Sequence, residues 1–98
     1  MHTAPIMEAL ETFIAESIRI SREHGYHPTT FISMQERWGT KDAIERLVVQ
    51  GEIQSGFKRL VALNLSHWTI EAAVCQFPEV FTNREVRAAA EWRLQQAR

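Results

Sequence analysis

The residues best able to do chemistry are few. His24 and His27 sit three apart with Glu23 beside them, while His2, His67 and Cys75 lie elsewhere in the chain. Two histidines can share a metal ion at helical spacing, but Gly25 and Pro28 make this stretch a turn. No second paired element, such as Cys-x-x-Cys or His-x-x-x-His, completes a four-ligand site. The expectation is loop histidines, no metal and no cofactor. Cys75 falls among Ile70, Val74 and Phe77 of an apolar helical stretch, so it is expected to be buried and inert, with a raised pKa rather than a reactive thiolate. There is no Gly-x-Ser-x-Gly elbow and no glycine-rich phosphate loop. The carboxylate pairs Glu8/Glu11 and Glu36/Asp42 read as solvated helix surface. No catalytic group and no small-molecule substrate is evident, and the chain is expected not to be an enzyme.

The elements that would carry these groups are helical almost throughout. Ile6, Leu10, Phe13, Ser17 and Ile20 step by four and three, and Ile14 and Ile18 widen the apolar stripe to half the circumference. Gly25 ends this long first helix. Pro28 suits the first turn of a second carrying Phe31, Met34, Gln35 and Trp38, ended by Gly39. Thr40 is the expected N-cap of a third, with Ala43, Ile44, Leu47 and Val48, closed by Gly51. A fourth places Ile53, Phe57, Leu60 and Val61 on one side despite Gly56. A fifth reads Trp68, Ile70, Ala73, Val74 and Phe77, stopped by Pro78. A capping box, Thr82-Asn83-Arg84-Glu85, opens the sixth. These spacings predict one all-α domain over residues 1–98, a compact irregular bundle of about five to six helices with long first and last members.

Composition sets bounds. The 98 residues are 45% hydrophobic and 23% charged, with 11 basic and 12 acidic side chains and a formal net charge of −1. Such balance disfavours a protein whose main task is gripping phosphate. A single cysteine forms no intrachain disulfide and suits a reducing compartment. The start of the chain lacks the basic and apolar regions of a secretory signal, and no apolar run approaches the roughly 20 residues that cross a bilayer. The expectation is a cytoplasmic protein without membrane contact.

Two helical regions invite a binding reading. Phe31 to Gln50 has the outline of a helix-turn-helix, but its second helix would present Lys41, Asp42, Glu45 and Arg46 to DNA, two acids against two bases. Glu45 also stands where that motif buries an apolar residue. The last helix is richer. Val86, Ala90, Leu94 and Ala97 form its core seam, Ala89 and Trp92 flank it, and Arg93 lands inside it. Small residues admit a close neighbour, and Trp and Arg are enriched at interface hot spots. The opposing reading folds Trp92 back over Ala88 and Ala89 while Arg93 snorkels. Arg84, Arg87 and Arg98 share another face with Glu91 among them. Trp38 and Trp68, at helix ends, read as lids on the core or as contacts.

From Tyr26 onward the chain is similar to a family of short all-α domains of uncharacterised bacterial proteins. The resemblance rests on Tyr26-x-Pro28-x-x-Phe31-x-x-Met34, then Gly39, Ala43 and Leu47, and on Ser55-Gly56-Phe57-x-x-Leu60. It continues through Thr69-x-Glu71-x-x-Val74 and Phe81-Thr82-x-x-Glu85-x-x-x-Ala89 to Leu94. Ser66-His67-Trp68 departs from the pattern. Such domains look like stand-alone proteins or appendages of larger ones, some of them nuclease or restriction-type systems, and the resemblance implies no catalytic residues. These readings converge on a non-enzymatic protein-interaction module in a bacterial or phage defence setting. It would dock to itself, as a homodimer, or to another protein through its first and last helices, using Trp92, Arg93, Ala89, Arg84, Arg87 and Trp38. The alternative is a nucleic-acid-binding module using Arg84, Arg87 and Arg98.

Overall fold

A computed structural model describes residues 3–50 and 55–97. Gly51, Ile53, His2 and Arg98, named above, lie outside the described residues. Helix α1 spans Thr3–Glu23, and Leu10, Ile14, Ser17 and Ser21 line its buried face at steps of four and three. It stops in a Schellman motif: Tyr26 N–H donates to Ser21 O at 2.9 Å and Gly25 N–H to Arg22 O at 3.0 Å. Gly25 sits at φ 84, where a side chain would be strained. Helix α2, Thr29–Trp38, follows with Pro28 as its cap residue. Only Gly39, at φ 88, separates it from α3, Thr40–Val48, and the two helices pack against each other.

Helix α4 spans Ser55–Ala62 and ends in a second Schellman motif, with Leu65 N–H donating to Leu60 O at 2.7 Å and Asn64 to Val61 O at 2.9 Å. Asn64 takes the left-handed position (φ 63), which asparagine tolerates better than most residues. The expected fifth helix is two pieces: a 3₁₀ turn at Ser66–Trp68 and then α5, Ile70–Gln76. Thr69 breaks them apart. Its Oγ1 donates to Ser66 O at 2.8 Å and accepts from Ala72 N–H at 3.0 Å, so one hydroxyl closes the turn and caps the helix. Helix α6 spans Arg84–Gln96.

Although α5 is only 7 residues long, it lies at the centre, packed against α1, α3, α6 and the 3₁₀ turn. Ala73 and Val74 are fully enclosed there among Leu10, Ile14, Ile44, Val48, Phe81 and Ala90. Phe81, sealed within the core, pins the connection that brings α6 back onto α5. The radius of gyration of 12.5 Å is that of one globular body, about 13 Å for a hundred residues. The bundle is all-α: no strand occurs among the described residues, and none of their helices is long and apolar enough to cross a membrane.

Two capping expectations are corrected. Thr40 is the first residue of α3 rather than its cap. Its hydroxyl donates to Glu11 Oε1 at 2.8 Å and accepts from Gln35 Nε2 at 2.9 Å, tying α1, α2 and α3 together. At α6 the cap is Asn83, one residue beyond Thr82: Asn83 Oδ1 accepts from Glu85 N–H at 2.8 Å and Val86 N–H at 3.3 Å.

Candidate functional site

The arginine inside the core seam of α6 turns inward. Arg93 is 2% exposed and Glu71, in the first turn of α5, is 0% exposed. Arg93 Nη1 donates to Glu71 Oε2 at 3.0 Å and to Leu47 O at 3.2 Å, and Nη2 donates to Gln50 O. A planar guanidinium with several fixed donors suits this task, because it meets a carboxylate and two backbone carbonyls at once. Those carbonyls lie at the C-terminal end of α3, where helix carbonyls lack intrahelical donors and a positive charge is favoured. The expectation that Arg93 contacts a partner is therefore corrected: it is spent inside the chain. Snorkelling fails for the same reason, since an opposite charge waits in the interior.

Glu71 is only half satisfied. Its Oε2 meets Arg93, while Oε1 is buried with no hydrogen-bond partner. Burial raises the Glu71 pKa, with the Arg93 hydrogen bond, the residue's own backbone N–H and the Arg93 charge pulling against it. Glu71 is one of the residues lining a cavity of about 120 Å³ between α1, the α1–α2 connection, α4 and the start of α5. Ile14, Phe31, Phe57 and Leu60 form its apolar wall. Tyr26 stands at its outer edge, pressed on Gly56: a Cβ at residue 56 would lie 3.1 Å from the ring Cζ and closer still to the hydroxyl. The Ser-Gly-Phe piece thus needs glycine to admit Tyr26. Burial also raises the Tyr26 pKa.

The other expected contact residues divide. Trp92 is 54% exposed on the outer face of α6, so it does not cover the core edge. Arg84 and Arg87 are exposed on the same helix, as are Glu85 and Glu91, while Ala89 is half-buried against the core. Trp38 is 37% exposed, with the guanidinium carbons of Arg46 and Arg37 at 4.1 and 5.0 Å from its ring centre. Trp68 is a lid, stacked on Phe13 at 5.1 Å between ring centres. The surplus apolar face expected of α1 is taken up by its own chain: Leu10 and Ile14 are buried, and Ile6, Phe13 and Ile18 pack against the core. Ile6, Phe13, Ile18 and Ile20 nevertheless stay partly exposed.

Cys75 is exposed, contrary to expectation. At ~100° per residue it lies well past Val74 on the helix wheel, and it emerges towards α6. Its pKa is nevertheless raised, chiefly by partial burial and next by the charge of Glu91. His24 and His27 are exposed, and His24 Nδ1 lies 2.9 Å from Ile20 O at the end of α1. Among the described residues no three His, Cys, Asp or Glu side chains are placed to hold a metal ion.

The signal for the buried pair was present in the sequence as a charge inside an apolar seam. Its partner across α5 was not, because Glu71 also fits the first turn of an exposed helix. Comparison with family models, curated proteins and solved structures finds no match to this chain.

Proposed function

We propose that this chain is a non-enzymatic helical module that works by docking to a second copy of itself or to another protein through the outer face of α6. The observation that carries this reading is Trp92, which is 54% exposed one helical turn from the half-buried Ala89. A large aromatic left in water gains free energy when covered, and tryptophan is among the side chains enriched at interface hot spots. Val49 is a further large apolar side chain left exposed, at 50%. Trp38, sandwiched with Arg46, is a secondary contact. The defence setting rests on the family resemblance alone. Nucleic acid is the weaker occupant, because Glu85 and Glu91 interleave with Arg84 and Arg87.

Sedimentation equilibrium over a concentration series, on the native chain and on Trp92→Glu, tests self-docking. The expected result is a mass rising towards twice the monomer in the native chain only. Proximity labelling in the source cell, with the same pair, tests docking to another protein. An invariant monomer mass together with identical labelled neighbours for both chains rules the reading out.

A further inference from the structure

The cavity beside Glu71 has the features of a built site, on different residues from the docking face. Its volume, about 120 Å³, approaches the roughly 150 Å³ that admits a benzene-sized molecule. Three of the five hydroxyls that line it are committed. Ser17 Oγ donates to Trp68 O, Ser21 Oγ to Ser17 O at 2.8 Å, and Thr69 Oγ1 to Ser66 O, so none of these protons reaches Glu71. Glu71 Oε1 remains buried and without a donor. Leaving a carboxylate oxygen so placed is unfavourable, and a donor arriving in the cavity recovers that free energy. The charge of Glu71 is already balanced by Arg93, so an incoming cation would bring an excess charge into a low-dielectric interior. The exposed Thr30 and the half-buried Tyr26, Ile18 and Gly56 mark where the cavity meets solvent.

We propose that this cavity binds one small, neutral, mostly apolar molecule carrying a single hydroxyl or N–H group, of the size and class of phenol. Its donor rests on Glu71 Oε1 and its ring lies among Ile14, Phe31, Phe57 and Leu60. The site gives a reason for a half-satisfied carboxylate at the centre of the fold: the ligand completes it.

The test is a titration of the intact chain with phenol, followed by backbone amide NMR, and a parallel one with toluene, which has nearly the same shape and no donor. The expected result is saturable shifts around Ser17, Ser21, Leu60 and Glu71, with phenol bound about tenfold more tightly than toluene. Ser21→Leu, which fills the cavity, abolishes them. Leu60→Phe serves the same purpose should that variant not fold. No saturable shift with phenol, an equal response to toluene, or binding retained in the filled variant overturns the proposal and leaves water as the occupant. Trp92→Glu leaves phenol binding unchanged, so failure here is distinguishable from failure of the docking reading.

Discussion

Helix α6 has two faces that put the same side-chain types to opposite uses. On its inner face Arg93 is enclosed, bonded to a carboxylate and to carbonyls at the end of α3. On its solvent side Arg84, Arg87 and Trp92 stand in water. Guanidinium chemistry is identical in both places; the dielectric and the neighbours differ. Inside, an ion pair is not a source of net stability by default, since desolvating two charges offsets most of their attraction, but removing one member leaves the other stranded. Outside, a charge contributes little to folding and is available for recognition. One face specifies the fold, and the other is the one the docking proposal assigns to a partner.

The sharpest way to break this contrast is to truncate the inner arginine. Arg93→Met strands Glu71 and two backbone carbonyls, with an expected loss of about 3–5 kcal/mol in urea unfolding. The double variant Arg93→Met with Glu71→Leu should recover part of it, and only part, because Leu47 O and Gln50 O still lack their donor. A loss under about 1 kcal/mol for the single variant would mean the inner face does not hold the fold together.

A smaller effect is expected from pH. Burial raises the Glu71 pKa above the ordinary 4.5, so the native state keeps its proton at pH values where the unfolded chain has released it. The contribution of this group to stability is therefore full below about pH 4.5 and is lost as pH rises through the folded value. Its steepest slope is about 1.4 kcal/mol per pH unit. Urea midpoints measured against pH should show this fall, and Glu71→Gln should flatten it. An unchanged profile in Glu71→Gln would assign the pH dependence to other groups.

The least effect belongs to the outer face. Trp92→Ala and Arg87→Ala should each change unfolding free energy by no more than about 0.5 kcal/mol. A larger loss for Trp92→Ala would place that indole in the fold after all and weaken the contrast between the two faces.

Most of the helices were legible, because apolar spacing depends only on local geometry. Leu10, Ile14, Ala43, Ile44, Val48, Ala73 and Val86 all face inward as their spacing predicts. What escaped were choices made by tertiary contacts. Thr40 is a good cap by type, but a glutamate from α1 claims its hydroxyl. Thr82 and Asn83 are both acceptable caps, and side-chain preference alone does not separate neighbours. Thr69 splits the fifth helix because Ser66 supplies a local acceptor, a detail that apolar periodicity does not register. Cys75 was misplaced by reading nearness in sequence as nearness on a helix face. Arg93 stood out correctly as an anomaly; only the fold shows that Glu71, on another helix, answers it. The cavity had no sequence signal, since it is made by residues drawn from α1 to α5.

The reach of Arg93 to Leu47 and Gln50 has a consequence for how this molecule breathes. A fraying helix end normally opens by itself, one turn at a time. Here the last turn of α3 cannot loosen without releasing the guanidinium, and that release leaves the α5 carboxylate without its counter-charge. Three segments far apart along the chain therefore share one opening event, as struts bolted through a common plate come free together.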